Sequence, residues 1–297
     1  MEIDINIPNL FIIGVFKSGT TSLHRYLANH LEISEGICKE THYLDEFVYS
    51  NTKSLNPNLS DYSNFYRNVK KSCYYLDSSP SYFYGGSKII DYIKKNIPSA
   101  KFLLMLRNPV DRFTSYYNFI KSKNIINDDF ESFFNKSLKK FELRDQLKVG
   151  AYENSLLEGV YSNFIDDWLK LGPNEFKILF NDDLKADPKN VIIDILNWLE
   201  LDISTFYKNY NFRIENKTTN YNSKIVHKMA SNISNHLNLR SNLPNGLFYF
   251  MKNLYQKFNS SKLPENNNND KILKKLNEFY FDYNKELFDK INYKKTW

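Results

Sequence analysis

A short loop near the N-terminus combines glycines with side chains that can bind phosphate. Residues 14–22 read Gly-Val-Phe-Lys-Ser-Gly-Thr-Thr-Ser and lie between an apolar run and a helical pattern. Backbone N–H groups at a helix N-terminus, together with glycines that permit close approach, can hold phosphate oxygens. Gly14 and Gly19 have the five-residue separation of the nucleotide-binding pattern G-x-x-x-x-G-K-S/T. We therefore expect this loop to bind a phosphate group.

The lysine of this loop departs from that pattern. Thr20 follows Gly19 where a nucleoside-triphosphate enzyme needs its lysine, and Lys17 lies inside the loop instead. A cation there can face the bridging oxygen between a phosphate and a transferable group. The hydroxyls that can hold the phosphate oxygens are those of Ser18, Thr20, Thr21 and Ser22. An ordinary strand-to-helix turn with an exposed lysine is the alternative interpretation of the loop alone.

A second candidate phosphate site follows another apolar run. Residues 102–106 are apolar and lead into Arg107-Asn108-Pro109-Val110-Asp111-Arg112, with Ser115 in the helical pattern that follows. Ligands of open α/β sheets bind outside the carboxyl ends of the strands. Arg107 offers the fork of donors that suits a phosphate monoester, and Ser115 can donate to the same phosphate. We expect Arg112 to be a structural ion-pair partner.

The elements that position these residues alternate along the chain. Buried strands are predicted over residues 10–14, 73–76, 101–106 and 176–180, and helices over residues 21–31, 87–96, 109–120, 153–171 and 190–199. This alternation is typical of an α/β fold with a central parallel sheet flanked by helices. The last third of the chain is helical in pattern, over residues 223–237, 247–258 and 270–291, with a surface loop over residues 260–270.

The two phosphate elements together resemble the donor site of sulfotransferases. Residues 17–22 resemble the family's 5′-phosphosulfate loop, and residues 102–115 resemble its 3′-phosphate site. The resemblance implies the P-loop-like sulfotransferase fold in a single domain over residues 1–297. It implies 3′-phosphoadenosine 5′-phosphosulfate (PAPS) as donor and adenosine 3′,5′-bisphosphate as product, with no metal. Lys217 lies where relatives form a loop over the 3′-phosphate, which implies a further donor contact.

Residues 39–45, Lys-Glu-Thr-His-Tyr-Leu-Asp, resemble the K-E-P-H-F/Y-F/L-D segment of the family's carbohydrate branch. The glutamate of that segment is the proposed catalytic base, which implies that Glu40 accepts the proton of the acceptor hydroxyl. We expect a raised pKa for this carboxylate in a partly buried cleft. Lys39 and His42 would orient the acceptor or tune that pKa. A solvated Lys-Glu pair on the surface is the alternative.

Residues 77–83, Asp-Ser-Ser-Pro-Ser-Tyr-Phe, resemble a segment that reads E-K-S/T-x-x-Y-F in glycan-sulfating relatives. Ser78 stands where those enzymes have a lysine, so we expect a substrate contact at Ser78 but do not assign a heparan-type glycan. Further resemblances at residues 150–168 and 182–188 imply packing and capping. The ending resembles the family's C-terminal helix and final tryptophan, Trp297, so we expect the chain to be full length.

The acceptor implied by the resemblance is a small molecule or a saccharide, with a hydroxyl, or an amine, as the group that is sulfated. Composition adds little, because 40 basic against 34 acidic residues give a net charge of +6 that suits any anionic ligand. We expect no nucleic-acid partner, since the 22 tyrosines and 23 phenylalanines mostly recur at core spacings. The oligomeric state cannot be read from the sequence.

The chain lacks obvious targeting features. Residues 1–8 have no basic region of a signal peptide, and no apolar run approaches the roughly 20 residues that span a bilayer. Cys38 and Cys73 form no C-x-x-C pair, so we expect buried, reduced thiols. A cytoplasmic location without a membrane span is predicted.

Two rival functions stay open at this point. The first is a phosphate-loop kinase or nucleotide hydrolase in which Asp77 holds magnesium, although the G-K-S/T lysine is missing. The second is a catalytically silent nucleotide-binding protein of the same fold.

Overall fold

A five-stranded parallel sheet forms the centre of the part of the chain that the structure describes. The structure is a computed structural model that describes residues 6–49, 57–66, 69, 72–143, 151–204, 220–221, 260–261, 269–294 and 297. The strands are β1 (Leu10–Gly14), β2 (Ile33–Glu35), β3 (Tyr74–Asp77), β4 (Lys101–Leu106) and β5 (Phe176–Phe180). Their order in the sheet is β2-β3-β1-β4-β5, so β1 lies between its neighbours β3 and β4.

Helices connect and cover these strands. The helices are α1 (Thr20–Ala28), α2 (Asp45–Tyr49), α3 (Leu59–Ser63), α4 (Ser87–Asn96), α5 (Pro109–Ser122), α6 (Phe130–Glu142), α7 (Asn181–Ala186), α8 (Pro188–Trp198) and α9 (Asn269–Lys290). A two-stranded antiparallel pair, β6 (Asn220–Tyr221) with β7 (Ser260–Ser261), lies apart from the main sheet. The predicted α/β class with a central parallel sheet is confirmed.

The two faces of the sheet bury different cores because side chains alternate along each strand. Leu10 and Ile12 of β1 pack with buried residues of α1 and α8, such as Leu27 and Ile195. Phe11 and Ile13 face the other side, where residues of α4 and α9 complete the core. A third cluster joins α5, α6 and α9 beside the sheet.

Residues 153–171 do not form the single long helix that the sequence predicts. The chain runs instead through four short 3-10 turns: Tyr152–Ser155, Leu157–Gly159, Tyr161–Asn163 and Trp168–Lys170. Side chains from distant elements donate hydrogen bonds to backbone carbonyl groups of this segment. Tyr280 donates to the Leu156 carbonyl at 2.8 Å, and Tyr84 donates to the Glu158 carbonyl at 3.0 Å.

Several other sequence predictions can be compared with the observed elements. The predicted strands at 10–14, 101–106 and 176–180 and the predicted helix at 87–96 have the observed bounds. The first helix ends at Ala28, three residues earlier than predicted, and β2 and α6 were not predicted. The predicted helices at 223–237 and 247–258 lie outside the described residues. The prediction of a single domain over residues 1–297 stays a prediction.

The cysteines differ from their prediction. Cys73 is exposed and Cys38 is half-buried, and both are free thiols. The expectation of buried thiols was therefore wrong, because Cys73 lies just before β3 rather than within the strand. No helix among the described residues has the length and apolar character needed to cross a bilayer.

Candidate active site

The loop bounded by Gly14 and Gly19 lies at the carboxyl end of β1. The Val15 N–H donates to the Met105 carbonyl of β4 at 2.9 Å, which places the loop beside the end of β4. The Asn181 side-chain amide donates to the Ser18 carbonyl at 2.6 Å. Gly19 has φ +96°, and a Cβ there would come within 2.6 Å of the Asn181 amide nitrogen. Glycine is therefore required at this position both by conformation and by space.

The hydroxyl groups of the loop do not all face outward. Ser18 is buried, and its Oγ donates to the Val15 carbonyl at 2.7 Å, so this hydroxyl stabilises the loop itself. The contact between Ser18 and a phosphate oxygen stays a prediction. Thr20, Thr21 and Ser22 begin helix α1 and line the adjacent cleft.

That cleft has a volume of about 710 Å³ and brings distant candidates together. The predicted site residues that line it are Lys17, Gly19, Thr20, Thr21, Ser22, Glu40, Arg107 and Ser115. They come from the β1–α1 loop and the start of α1, from the segment after β2, and from the β4–α5 connection and α5 itself. Parallel strands bring such loops together because their carboxyl ends lie at one edge of the sheet. Lys217 lies outside the described residues.

Arg107 stabilises the loop through hydrogen bonds and carries a further N–H group that can donate to a ligand. Its Nη1 donates to the Lys17 carbonyl at 3.0 Å, and its own carbonyl accepts from the Tyr161 hydroxyl at 2.9 Å. The Asp111 carboxylate is 3.8 Å from the guanidinium. Among the residues that the structure describes, none forms a hydrogen bond with the buried Nε of Arg107. Because an unpaired buried donor is costly, this N–H fits an anionic ligand in the cleft.

Lys17 is held between positive charge and an aromatic ring. Its Nζ lies 4.3 Å from the centre of the Phe119 ring of α5. Burial, followed by the nearby charges of Arg107 and Lys39, lowers the pKa of Lys17 to about 8. An anion bound in the cleft would reverse the effect of these charges. Lys17, Arg107 and the glycine loop thus fit a donor that carries two phosphate groups.

Glu40 belongs to a chain of charged groups. Lys39 Nζ contacts one carboxylate oxygen of Glu40, and His42 Nε2 lies 3.2 Å from the other. His42 Nδ1 is in turn 2.8 Å from Asp45 and 3.1 Å from the Ser81 hydroxyl. The Asp45 and Glu40 carboxylates raise the pKa of His42 to about 10. His42 is therefore a cation at neutral pH.

The acidity of Glu40 differs from its prediction. The expected raised pKa is contradicted: although burial opposes it, the contacts with His42 and Lys39 lower the pKa of Glu40 to about 2. The physical reason is that the predicted tuning residues are cations within contact distance, which favour the charged form more than burial disfavours it. Glu40 is fully ionised at neutral pH and borders the cleft, with Pro80 and Phe16 among its other lining residues.

The Asp77 carboxylate is occupied by the protein's own donors. It accepts from the Thr41 hydroxyl at 2.6 Å, from the Ser79 hydroxyl at 2.7 Å, and from the hydroxyls of Tyr62 and Tyr82. A fully buried carboxylate with these partners anchors the segment around Thr41 and is not exposed to a ligand. The geometry therefore disfavours the rival function in which Asp77 holds magnesium. Within the described ranges, no three histidine, cysteine or acidic side chains are placed so that they could hold a metal ion.

Ser78 does not reach the cleft. Its side chain is buried, and its Oγ is 2.6 Å from Nδ1 of the buried His24. The hydroxyl thus contacts His24 and does not line the cleft, and the substrate contact at Ser78 stays a prediction. Arg112, by contrast, forms the structural ion pair that was predicted, with Glu158 at 3.6 Å.

Several residues that line the cleft were not predicted as site residues, among them Asn181 and Phe119. Asn181 directly follows β5, so the rule that ligands bind beyond the carboxyl ends of strands could have identified it. Phe119 lies four residues after Ser115 on α5, which places both on one helix face. Its contact with Lys17 could not be read from spacing, because the two residues lie on different elements.

Comparisons with known proteins agree with this architecture. A family model described as "Sulfotransferase domain" matches residues 8–257. "Carbohydrate sulfotransferase 15" of Rattus norvegicus is 26% identical over 246 residues, covering 66% of this chain and 44% of that protein. "Bifunctional heparan sulfate N-deacetylase/N-sulfotransferase 1" of Xenopus laevis is 26% identical over 199 residues, covering 65% of this chain and 22% of that protein. The chain thus spans less than half the length of these curated relatives.

The fold is also found in a solved structure. The crystal structure of a sulfotransferase from Alicyclobacillus acidocaldarius has a TM-score of 0.61 and 22% sequence identity, covering 72% of this chain and 87% of that chain.

Proposed function

This chain belongs to the sulfotransferase domain family, and from that premise we propose that it transfers a sulfuryl group from PAPS to an acceptor hydroxyl. The observation that supports this most is the convergence of Lys17, Arg107, Ser115 and Glu40 on one cleft. Two cationic groups and a glycine loop suit a donor with two phosphates. A carboxylate at the same cleft suits the removal of a proton from an acceptor.

The donor-binding groups come from two loops. When bound, PAPS supplies an activated sulfuryl group attached to its 5′-phosphate. Residues 19–22 hold the 5′-phosphate through backbone N–H groups and hydroxyls at the start of α1. Arg107 and Ser115 hold the 3′-phosphate, and the unpaired Nε of Arg107 gains a partner there. Lys217 is a further predicted contact that lies outside the described residues.

Lys17 acts at the point where negative charge develops. Its ammonium group stabilises charge on the oxygen that links the sulfuryl group to the departing phosphate. The Lys17 backbone is held by Arg107, and its side chain packs on Phe119, so little reorganisation is needed. Catalysis then consists of positioning and electrostatic stabilisation, without a covalent intermediate on the protein.

Glu40 accepts the proton that the acceptor hydroxyl loses as its oxygen attacks sulfur. Lys39 and His42 hold this carboxylate ionised. A carboxylate with a pKa of about 2 is a weak base. We expect the acceptor hydroxyl to displace Lys39 from the carboxylate, which raises the pKa of Glu40 toward its ordinary value. His42 then fixes the remaining carboxylate oxygen and is itself fixed by Asp45.

The acceptor class is a further part of the proposal. The relatives named carbohydrate sulfotransferase and heparan sulfate N-sulfotransferase favour a saccharide acceptor, and the second name favours an amine as the alternative to a hydroxyl. A cytoplasmic location and the absence of a metal requirement stay predictions.

The test is calorimetric binding of adenosine 3′,5′-bisphosphate without magnesium, alongside ATP with magnesium. We expect metal-independent binding that weakens about 100-fold in Arg107→Ala, because charge-assisted hydrogen bonds contribute about 1.5–3 kcal/mol each. Arg107→Lys keeps the charge but loses the forked geometry, so it separates the two contributions. Binding of magnesium-ATP alone would contradict the proposed donor.

A second measurement separates an enzyme from a catalytically silent relative. Glu40→Gln should abolish most sulfuryl transfer while the affinity for adenosine 3′,5′-bisphosphate stays within about threefold of wild type, since a positioned base contributes about 10²–10⁴ to the rate. Equal turnover of wild type and Glu40→Gln would exclude Glu40 as the base.

A further inference from the structure

The segment that follows β3 forms a hydrogen-bonded template for the segment that carries Glu40. The Ser78 N–H donates to the Lys39 carbonyl at 3.1 Å, and Asp77 accepts from Thr41 at 2.6 Å. The Ser79 hydroxyl accepts from the His42 N–H at 3.0 Å. Residues 77–79 thus fix the backbone on both sides of Glu40, and the position of the base depends on the end of β3.

A buried histidine contacts this template from helix α1. His24 is 1% exposed, and its Nδ1 lies 2.6 Å from the Ser78 hydroxyl. Its Nε2 lies 2.8 Å from the Glu35 carboxylate at the end of β2. The Ser78–His24–Glu35 chain joins three elements, and the mechanism above uses none of its members.

The partners of His24 determine which ring nitrogen carries the proton. A carboxylate only accepts, so Nε2 carries the hydrogen that is donated to Glu35. In the neutral ring Nδ1 is then the acceptor, and the Ser78 hydroxyl donates to it. Burial, the largest influence, lowers the pKa of His24 and so favours this neutral form. The carboxylate therefore orients the imidazole, and the imidazole orients Ser78.

Helix α1, which carries His24, also carries residues of the donor loop at its start. Thr20, Thr21 and Ser22 are its first residues, and His24 follows one turn into the same helix. The contact from His24 to Ser78 thus links the helix that binds the donor phosphate to the template that holds Glu40.

We propose that His24 is a positioning residue that sets the distance between the donor loop and the Glu40 segment by holding the Ser78 hydroxyl. The proposal rests on the proposed function for its catalytic consequence. The structural part, that residues 38–45 are ordered through His24 and Ser78, can be measured without turnover.

Two substitutions of His24 separate its two contacts. His24→Asn places an amide near the position of Nδ1, so it retains an acceptor for Ser78 and loses the contact with Glu35. His24→Gln places its amide near the position of Nε2, so it keeps the Glu35 contact and leaves the Ser78 hydroxyl without its acceptor. Ser78→Ala removes the other partner of the same contact.

His30 provides a matched control for the loss of a buried histidine. It is buried just beyond α1, and its Nε2 contacts the Asp202 carbonyl at 2.9 Å, away from the Glu40 segment. His30→Gln reports what any buried-histidine substitution does to the fold.

The experiment is hydrogen–deuterium exchange of the peptide covering residues 38–45, with turnover and donor-product binding measured on the same variants. We expect exchange to be about five- to tenfold faster in His24→Gln and Ser78→Ala, and near wild type in His24→Asn and His30→Gln. Where the wild type transfers sulfuryl groups, kcat should fall about 10- to 100-fold in His24→Gln and Ser78→Ala, with the affinity for adenosine 3′,5′-bisphosphate changed less than about threefold.

Wild-type exchange in His24→Gln would overturn the proposal, and so would equal acceleration in His24→Asn and His24→Gln. An absence of sulfuryl transfer by the wild type would contradict the proposed function alone, because the exchange pattern still decides the role of His24. The proposal for His24 would also be overturned if the affinity for donor product fell as much as kcat, since His24 would then act on the donor loop itself.

Discussion

Protonation of Lys17 should control how the affinity for donor product changes between pH 7 and pH 9. The pKa of this lysine is lowered to about 8 by burial and then by the charges of Arg107 and Lys39. It is therefore about nine-tenths protonated at pH 7 and about one-tenth protonated at pH 9. If only the ammonium form binds the phosphate, the affinity for adenosine 3′,5′-bisphosphate falls about tenfold across this range, or about 1.4 kcal/mol.

The charge of the ligand determines whether protons are taken up or released on binding. An anion stabilises the protonated lysine, so binding raises the pKa of Lys17 and takes up protons from the buffer. At pH 8 about half a proton should be taken up for each complex formed. The phosphate groups of the ligand are at least about nine-tenths dianionic from pH 7 to pH 9, because their second pKa is about 6, and at pH 8 almost fully so. They do not contribute to the change.

The assay is titration calorimetry in two buffers of different ionisation enthalpy. The dependence of the observed enthalpy on the buffer enthalpy gives the number of protons taken up. Lys17→Arg is the matched variant, since guanidinium stays protonated throughout and its binding should be independent of pH in this range. Equal affinity of the wild type at pH 7 and pH 9 would refute the reasoning, as would the same tenfold fall in Lys17→Arg.

Two further predictions concern stability. Glu158→Gln leaves the buried Arg112 without its ionic partner, both side chains being 0% exposed in the wild type, so unfolding becomes about 3–5 kcal/mol easier. With an unfolding entropy of about 0.6 kcal/mol per kelvin for a chain of this size, calorimetry should show a Tm lower by about 5–8 °C. The control is Glu278→Gln, which removes the exposed ion pair between Lys274 and Glu278 and should leave the Tm unchanged. The pKa of His42 is raised to about 10, so its contribution to stability is fully present below about pH 6.5 and is lost as the pH rises toward 10. The Tm difference between wild type and His42→Gln should therefore narrow from pH 6 to pH 10, and a constant difference would show that the ion pairs of His42 do not stabilise the fold.

Local patterns in the sequence were sufficient to predict most of the sheet. Residues 10–14 and 102–106 are apolar without interruption, and residues 176–180 are apolar except for Lys177, a pattern that is typical of strands buried on both faces. Their loops meet at one edge because parallel strands share a direction, so the convergence of Lys17 and Arg107 was also predictable. Helix α6 carried a usable signal too, with buried residues Phe130, Phe133, Phe134 and Ser137 at helical spacing after the cap Asp129.

The prediction for residues 153–171 failed for a reason that lies outside the segment. Apolar residues recur at helical spacing there, but Tyr84, Tyr280 and Arg112 reach its carbonyl groups from other elements. Periodicity does not show which backbone carbonyl groups accept hydrogen bonds from distant side chains.

The amino-acid sequence by itself determined the α/β class, the glycine-bounded loop after β1, and the set of residues that we propose as the donor site. Those features depend on local spacing and on the direction of successive strands. Tertiary structure alone decided that the pKa of Glu40 is lowered rather than raised, and that the hydroxyls of Ser18 and Ser78 turn inward. A pKa and a hydroxyl orientation depend on the donors and charges within a few ångströms, and the fold draws these neighbours from distant parts of the chain.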